Sequence, residues 1–297
     1  MKVLDARTRI QLKNILFATD FSPASRTAVP YALALAKHYG AKLYALYVRP
    51  PAVNPGTAPM SWKSSEEDAD RESEQHRQEL LNSFAGIQSE ILINEGDLWS
   101  ILAASIEEIQ IDLIVTGTRG RSGVVKFLLG SVAEKIFRQA PCPVLTVGPH
   151  SPAEPKGRGE FSHILFATDF SPESVAAAPY AIALAQEYQT YLTLLHVLAE
   201  AKAGDLVHPS ELMTSSGQLL RNLMPPDPEL FCVPEYVVER GVAAEKILDV
   251  AAQSKVDLIV LGVRQPSRFP GAATHLPIAI AHKVVSHAAC PVLTIRG

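Results

Sequence analysis

The chain contains 297 residues, of which 47% are hydrophobic and 20% are charged, and its formal net charge is −4. This balance is typical of a folded globular protein and excludes a disordered chain, a coiled coil and a collagen-like fibre. The slightly negative charge argues against nonspecific nucleic-acid binding, which needs a strongly basic surface.

The cysteine content and the lengths of the apolar stretches indicate in which cellular compartment the protein is expected. Three scattered cysteines are too few for a disulfide framework or a four-cysteine zinc site. The first residues contain no apolar signal-peptide core, and the apolar stretch at 176–185 is about half as long as a membrane span. We therefore expect a cytoplasmic protein that does not span a membrane.

The first half of the chain alternates strand and helix patterns. A short apolar run at 15–18 is typical of a buried strand, and Ser22-Pro23 supplies an N-cap and a first-turn proline for a helix. The apolar face of that predicted helix continues from Ala28 to Ala36. The remaining predicted elements are strands at 43–48, 91–93, 113–116 and 144–147, and helices at 63–84, 98–109 and 131–139.

The second half repeats the first. The sequence Ile-Leu-Phe-Ala-Thr-Asp-Phe-Ser-Pro at 15–23 recurs unchanged at 164–172, an offset of 149 residues. The sequence Cys-Pro-Val-Leu-Thr likewise occurs at 142–146 and at 290–294. Copies of about 150 residues indicate a duplicated domain, since solenoid repeats are much shorter. We predict domains at 1–150 and 161–297, joined by a linker at 151–160.

The second half predicts the same alternation of elements. Its strands are predicted at 164–168, 192–197, 236–238, 258–261 and 292–295, and its helices at 172–188, 210–223, 243–254 and 278–288. Such patterns predict an α/β fold, with a doubly wound parallel sheet of five strands in each half. Ligands of these sheets bind beyond the carboxyl ends of the strands, which here directs attention to Asp20, Val48 and the loop after Thr116.

A glycine-rich loop follows the fourth strand of the first half. Gly117, Gly120, Gly130 and Ser131 fit the pattern G-x2-G-x9-G-[ST], and a helix is predicted to begin at Ser131. Glycines let backbone N–H groups approach a phosphate, and a helix N-terminus adds a positive dipole end. The pattern differs from the P-loop and from the Rossmann loop. It predicts a phosphate site, and the alternative is a surface loop that only turns the chain.

The second half has lost this pattern. Gln265 stands at the place of Gly120, and Ile278-Ala279 stands at that of Gly130-Ser131 after a three-residue insertion. A branched isoleucine should obstruct a phosphate, and alanine has no hydroxyl to donate. We expect this half not to bind a nucleotide in the same way. The alternative is a different ligand held by Arg264, Arg268 and His275.

These features together resemble the universal stress protein family, in a tandem two-domain form that covers nearly the whole chain. The resemblance rests on Asp20 and Asp169, on Val48 and Val197, on the glycine loop from Gly117 to Ser131, and on the closing Pro-Val-Leu strands. It implies Rossmann-like sheets of the adenine-nucleotide alpha-hydrolase-like type. It also implies that the halves pack as a pseudo-twofold pair through their last strands, at 144–147 and 292–295.

The resemblance further implies an adenine nucleotide, ATP, bound in the first half. Asp20 would lie near the ribose and adenine, and the Val48 backbone would hydrogen-bond the adenine edge. Mg²⁺ would be held through the phosphates, and no protein ligand for it is evident in the sequence. From the residues alone, Asp20 is also explained as a turn residue before a helix. The other candidate binding residues are Thr116, Gly117, Arg119, Gly120, Gly130, Ser131 and Val132.

The resemblance favours a nucleotide-dependent stress-response sensor or scaffold over an enzyme. A slow ATPase is an alternative, but it would need a base or water-positioning residue beside the γ-phosphate, and the loop supplies only Arg, Lys and Ser. A scaffold that pairs its domains without a ligand is a further alternative, and a homodimer of the chain is compatible with either. No catalytic or metal-binding set of residues is evident.

Overall fold

The computed structural model describes residues 10–49, 63–118, 131–155, 161–200, 208–225, 234–263 and 275–296. In the first half it has β1 (Asn14–Ala18), α1 (Pro23–Arg26), α2 (Val29–Tyr39), β2 (Lys42–Arg49), α3 (Lys63–Ser83), β3 (Ser89–Glu95), α4 (Leu98–Ile109), β4 (Leu113–Gly117), α5 (Ser131–Gln139) and β5 (Val144–Val147). In the second half it has β6 (His163–Thr168), α6 (Pro172–Val175), α7 (Ala178–Glu187), β7 (Tyr191–Leu198), α8 (Pro209–Asn222), β8 (Pro234–Arg240), α9 (Ala243–Gln253), β9 (Leu258–Val263), α10 (His275–His287) and β10 (Val292–Arg296).

The described strands form one sheet in the order β3-β2-β1-β4-β5-β10-β9-β6-β7-β8. Neighbours within each half are parallel. The chain builds outward from β1 to β3 on one side and then continues with β4 on the other side. This is the doubly wound order, and the predicted fold class is confirmed.

The two halves join through their last strands. β5 and β10 pair antiparallel, with Leu293 opposite Leu145 at the centre of the register. Val292 lies opposite Thr146 on one side and Thr294 opposite Val144 on the other. The predicted pairing of the last strands is therefore confirmed, and it turns two five-stranded sheets into one continuous ten-stranded sheet.

A buried arginine adds a second link across this junction. Arg296 is 6% exposed, and its Nη2 donates to the carbonyl oxygen of Phe137 at 2.9 Å. Phe137 lies in the last turn of α5, where backbone carbonyls have no partner within the helix. Burial lowers the pKa of the guanidinium of Arg296. The second half thus supplies a cap to a helix of the first half.

A proline divides the predicted long helix near the start of each half. The structure has α1 and α2 in place of one helix, and α6 and α7 in place of the predicted helix at 172–188, which was wrong as a single element. Pro30 and Pro179 have no N–H to donate to the residues four positions earlier, Arg26 and Val175. These two residues are the ones at which α1 and α6 end.

One core cluster runs across the junction. On one face of the sheet, buried side chains from Phe17 and Leu43 in the first half, through Leu145 and Leu293, to Phe166 in the second half belong to a single cluster. On the opposite face, separate clusters lie mainly within each half. The halves therefore share both a sheet and part of a core.

Candidate functional site

The carboxyl ends of β1, β2 and β4 meet at one edge of the first-half sheet. Ala18 at the end of β1 lies beside Leu46 of β2 and Thr116 of β4. Because the strand order reverses between β1 and β4, this edge contains the switch point at which doubly wound sheets bind their ligands. The structure brings four of the predicted residues to this edge: Asp20, Val48, Thr116 and Gly117.

The carboxylate of Asp20 organises the turn between β1 and α1. Its Oδ1 accepts a hydrogen bond from the backbone N–H of Ser22 at 3.0 Å. Ser22 is in turn the N-cap of α1, and its Oγ accepts from the N–H of Ser25 at 3.2 Å. The turn explanation of Asp20 is thus present in the structure, and it holds the partly buried carboxylate at the sheet edge.

The residue after Asp20 has an unusual backbone conformation. Phe21 has a φ of +58°, in the left-handed region that large side chains rarely adopt. Its N–H donates to Thr19 Oγ1 at 3.0 Å, and Thr19 Oγ1 lies 3.0 Å from Ser25 Oγ. These bonds stabilise a tight turn that carries the chain from the strand end into the helix.

The second half repeats this turn. Phe170 has a φ of +59°, and its N–H donates to Thr168 Oγ1 at 3.0 Å. Asp169 Oδ1 accepts from the N–H of Ser171 at 3.0 Å. Burial alone would raise the pKa of Asp169, but hydrogen bonds from Ser171 and Ser174 outweigh that effect and lower the pKa. The turn is therefore a property of the repeat and does not distinguish the two halves.

Gly117 allows α1 to approach β4 closely. A Cβ placed on Gly117 would lie 2.8 Å from the carbonyl carbon of Ala24 and 2.9 Å from Cα of Ser25, closer than real Cβ contacts. A Cβ on Gly262 would lie 2.8 Å from the carbonyl carbon of Glu173 in the second half. Since both halves need a glycine here, close packing explains Gly117 without any ligand.

One buried hydroxyl distinguishes the two edges. Thr118 follows β4 and is 3% exposed, and its Oγ1 has no hydrogen-bond partner among the described residues. Its N–H donates to the carbonyl of Val147 at 3.2 Å. At the same place in the second half, Val263 follows Gly262 and is 5% exposed. The first half thus has a polar group where the second half has an apolar one, directly before the glycine loop.

The glycine loop falls outside the described residues. This applies to Arg119, Gly120 and Gly130, and the side chain of Ser131 is likewise not described. The helix predicted to begin at Ser131 is present as α5. Its first turn lies at the carboxyl edge of the sheet, as the crossover from β4 to β5 requires. Val132 on this turn is partly buried and packs against the first-half core cluster.

Val48 lies near the end of β2, beside Asn94 of β3, and is partly buried. The neighbouring Arg49 accepts through its carbonyl from the N–H of Gly96 at 3.0 Å, and its Nη2 lies 3.6 Å from Glu95 Oε2. The β2 end is thus held firmly against β3.

Within the described ranges, no group of three His, Cys, Asp or Glu side chains is placed to hold a metal ion.

Sequence reasoning missed an aromatic cluster beneath this edge. The ring of Phe21 stacks on His76 of α3 with centroids 4.2 Å apart and contacts Tyr47 of β2 edge-on at 4.8 Å. In the second half, Phe170 contacts His196 at 4.5 Å. His76 stands alone within a charged helix, and no periodicity in the sequence indicated that it would reach β1.

Comparison with known proteins finds one family twice in the chain. Residues 11–148 and 160–296 each match the family model described as Universal stress protein family. A universal stress protein of Methanocaldococcus jannaschii is 33% identical over 138 residues, which cover 46% of this chain and 81% of that protein. A putative universal stress protein of Staphylococcus aureus is 35% identical over 146 residues and is covered to 85% of its length.

A solved structure reproduces the arrangement of both halves. The crystal structure of a universal stress protein from Archaeoglobus fulgidus covers 97% of this chain and 99% of its own, with a TM-score of 0.69 and 20% sequence identity. At this identity the likeness concerns the fold. None of the helices in the described part of the chain combines the length and apolarity that a membrane crossing needs.

Proposed function

This chain belongs to the universal stress protein family, and we propose that it binds one ATP at the carboxyl edge of its first half. One observation carries the proposal. The two edges share their turn and their packing glycine, but the first half alone has Gly120 and Gly130-Ser131 where the second has Gln265 and Ile278-Ala279. The domain boundaries at 1–150 and 161–297 remain part of the proposal.

Different residues at this edge would contact different parts of the nucleotide. Asp20 would accept hydrogen bonds from the ribose hydroxyls, and the Val48 backbone would meet the adenine edge. The glycine loop and the first turn of α5 would supply N–H donors and a positive dipole end to the phosphates. The hydroxyl of Thr118, which has no hydrogen-bond partner among the described residues, lies directly before this loop.

Mg²⁺ would accompany the nucleotide through its phosphate oxygens. Magnesium commonly binds through one or two carboxylates, water and substrate phosphates. Among the described residues, no group of three His, Cys, Asp or Glu side chains is placed to hold a metal ion. We therefore assign the ion no protein ligand.

The bound nucleotide would serve a sensor or scaffold role in a cytoplasmic stress response. The sequence contains only three cysteines, which suits a reducing compartment. Burial raises the pKa of the Cys142 thiol to about 12, so it is protonated at neutral pH. Slow hydrolysis remains the alternative from the enzyme class, with turnover expected well below the roughly 10 per second of a typical enzyme.

Calorimetric titration with Mg-ATP tests the site. We expect about one nucleotide per chain, because one loop fits the phosphate pattern. Gly130→Ile and Gly120→Gln, which copy the second half, should abolish binding while circular dichroism and thermal unfolding stay as in the parent. Ile278→Val is the matched control and should bind normally. A stoichiometry near two, or binding by the Gly130→Ile variant, would overturn the proposal.

A further inference from the structure

The ring of Phe21 joins the turn after β1 to helix α3. Phe21 directly follows Asp20, and its ring stacks on that of His76, with 4.2 Å between the centroids and 9° between the planes. Tyr47, the residue before Val48, meets the Phe21 ring edge-on at 4.8 Å. The residues proposed to contact the ribose and the adenine are therefore each next in sequence to a member of one aromatic cluster, and α3 supplies the third member.

A second contact ties the same part of α3 to α1. Nδ1 of His76 lies 3.6 Å from Oε2 of Glu79, and that oxygen accepts a hydrogen bond from Nη2 of Arg26 at 3.1 Å. Arg26 belongs to α1, the helix that follows the turn. The side chains of Arg26 and Glu79 are 56% and 44% exposed, so this ion pair contributes little by itself. The side chain of His76 is only 13% exposed, and its stacking on Phe21 is the stronger link between α3 and the turn.

The helix that corresponds to α3 in the second half is α8. The two helices match at an offset of 140 residues, where the hydrogen-bonded pair Gln78–Asn82 at 3.2 Å corresponds to the pair Gln218–Asn222 at 3.1 Å. The residue midway in each pair, Leu80 or Leu220, is buried. This match identifies the second-half counterparts of the side chains that hold the turn.

At the matched positions, α8 has none of the side chains that tie α3 to the first-half turn. The ring of Phe170 instead contacts His196 of β7 at 4.5 Å, and Nδ1 of His196 donates to the carbonyl of Thr168 at 2.8 Å. The second-half turn is therefore held by its own sheet, whereas the first-half turn is also held by a helix. The counterparts are Ser216 for His76, Leu219 for Glu79 and, at the repeat offset of 149, Val175 for Arg26.

We propose that His76 is a positioning residue of the nucleotide site, an inference that rests on the proposed function. Through its stacking on Phe21, His76 holds the turn so that the Asp20 carboxylate is already in place when the ribose arrives. Phe21 has a φ of +58°, which is costly for a large side chain, so the turn needs contacts from outside to keep one conformation. A site that is ordered before binding loses less conformational entropy on binding and has the higher affinity.

Folding of the turn does not require a histidine on the neighbouring helix. The second half forms the same turn, with a φ of +59° at Phe170, although Ser216 stands at the matched position of α8. The histidine occurs in the half that also has the glycine-loop pattern, at Gly120 and Gly130-Ser131. A role in the nucleotide site therefore accounts for His76 better than a role in the fold.

Deuterium exchange of the full chain without nucleotide tests the positioning first. His76→Ala should raise the exchange rates of the Phe21 and Ser22 amides about fivefold, because these N–H groups are protected by hydrogen bonds within the turn. His76→Phe keeps a ring for stacking and should restore the exchange rates of the parent. His196→Ala, which removes the ring contact of the second half, is the matched control and should leave the first-half turn unchanged. Equal exchange in His76→Ala and the parent would overturn the proposal.

Calorimetric titration with ATP and with 2′,3′-dideoxy-ATP tests the link to the ligand. The parent should bind ATP more tightly, because Asp20 is proposed to accept hydrogen bonds from the ribose hydroxyls. His76→Ala should reduce this preference about fivefold, since a displaced carboxylate no longer recognises the hydroxyls. A general loss of structure would weaken both nucleotides alike and leave the preference unchanged. His76→Phe should restore the preference, and in an Asp20→Ala chain His76→Ala should change it no further.

The two measurements distinguish failure of this proposal from failure of the proposed function. If the parent binds ATP and His76→Ala keeps the parent's preference between the two nucleotides, the proposed function stands and the role given to His76 is wrong. If the parent binds no ATP, the proposed function is wrong, and the exchange rates alone decide whether His76 holds the turn. Should circular dichroism show that His76→Ala does not fold, His76→Leu takes its place, because leucine keeps an apolar contact without an aromatic face.

Discussion

At the scale of single residues, the end of β4 shows how closely backbone can approach backbone. Gly117 has no room for a side chain because α1 lies against it, and Gly262 meets α6 in the same way. In a sequence, a glycine that permits close packing and a glycine that approaches a phosphate are indistinguishable. The structure separates them here, since Gly117 has a counterpart in the half that lacks the loop pattern.

We expect Gly117→Ala to lower the free energy of unfolding by about 1–3 kcal/mol, since the added Cβ forces α1 away from the strand. Gly262→Ala should behave alike. Gly217→Ala is the control, because this glycine lies within α8 and an added Cβ would meet only Arg221 Nη1 at 3.5 Å. It should be neutral or stabilising. Urea denaturation of the three variants measures the difference, and equal stability of Gly117→Ala and the parent would contradict this account.

The turn after β1 shows which features of the site could be predicted from residues. The repeated Thr-Asp-Phe-Ser-Pro predicted the N-cap and first-turn proline correctly, and Asp20 was explained equally by a turn and by a ligand. The positive φ of Phe21 and its stacking on His76 could not be predicted. The stacking depends on where α3 packs, and the polar sequence of α3 contains little information about that. The positive φ recurs at Phe170 and depends on the side-chain hydrogen bonds of the turn, whose geometry the residue types alone do not specify.

At the scale of elements, strands were easier to predict than helix breaks. Short apolar runs between helical segments predicted every described strand within a few residues, because buried parallel strands have few polar positions. The break between α1 and α2 was missed, since the apolar face continues across Pro30. A missing backbone donor at that one position outweighs the favourable spacing of the side chains.

The contact of β10 with α5 yields a prediction at this scale. Arg296→Ala should lower the free energy of unfolding by about 1–3 kcal/mol, because the buried Phe137 carbonyl loses its charged donor. Arg296→Lys should recover part of the loss, since an ammonium can donate but cannot reproduce the planar guanidinium. Arg240→Ala, at the end of the outer strand β8, is the control and should change stability little. Denaturant unfolding provides the measurement, and an unchanged midpoint for Arg296→Ala would contradict the role assigned to this bond.

At the scale of the whole molecule, the junction makes the chain behave as one body. The ladder from β3 to β8 is unbroken in the described strands, and a single core cluster lies across its centre. Pairing β5 with β10 also removes two apolar edges that would otherwise invite aggregation. The same pairing was predictable from the sequence, because each last strand is apolar and each copy needs cover for that edge.

Cutting the connection between the halves should leave them together. A protease site placed at 156–160, in the linker before β6, should give two fragments that still elute as one species in size-exclusion chromatography. The ladder and the shared core hold them without the covalent link. Leu145→Asp in the same cleavable chain is the comparison and should release the fragments, because a charge would be buried at the centre of the junction. Separation of the cut parent would show that the linker, rather than the sheet, keeps the halves paired.

The continuous sheet also has a consequence for how the two copies could diverge. In a pair of identical subunits, every substitution appears twice, so a change that damages one loop damages both. When both copies are encoded in one chain and are paired with each other, a substitution changes only one half. Gln265 and Ile278 could therefore arise in the second half while Gly120 and Gly130 stayed unchanged in the first half. The two halves keep the pairing of a symmetric dimer, while selection acts on each half separately.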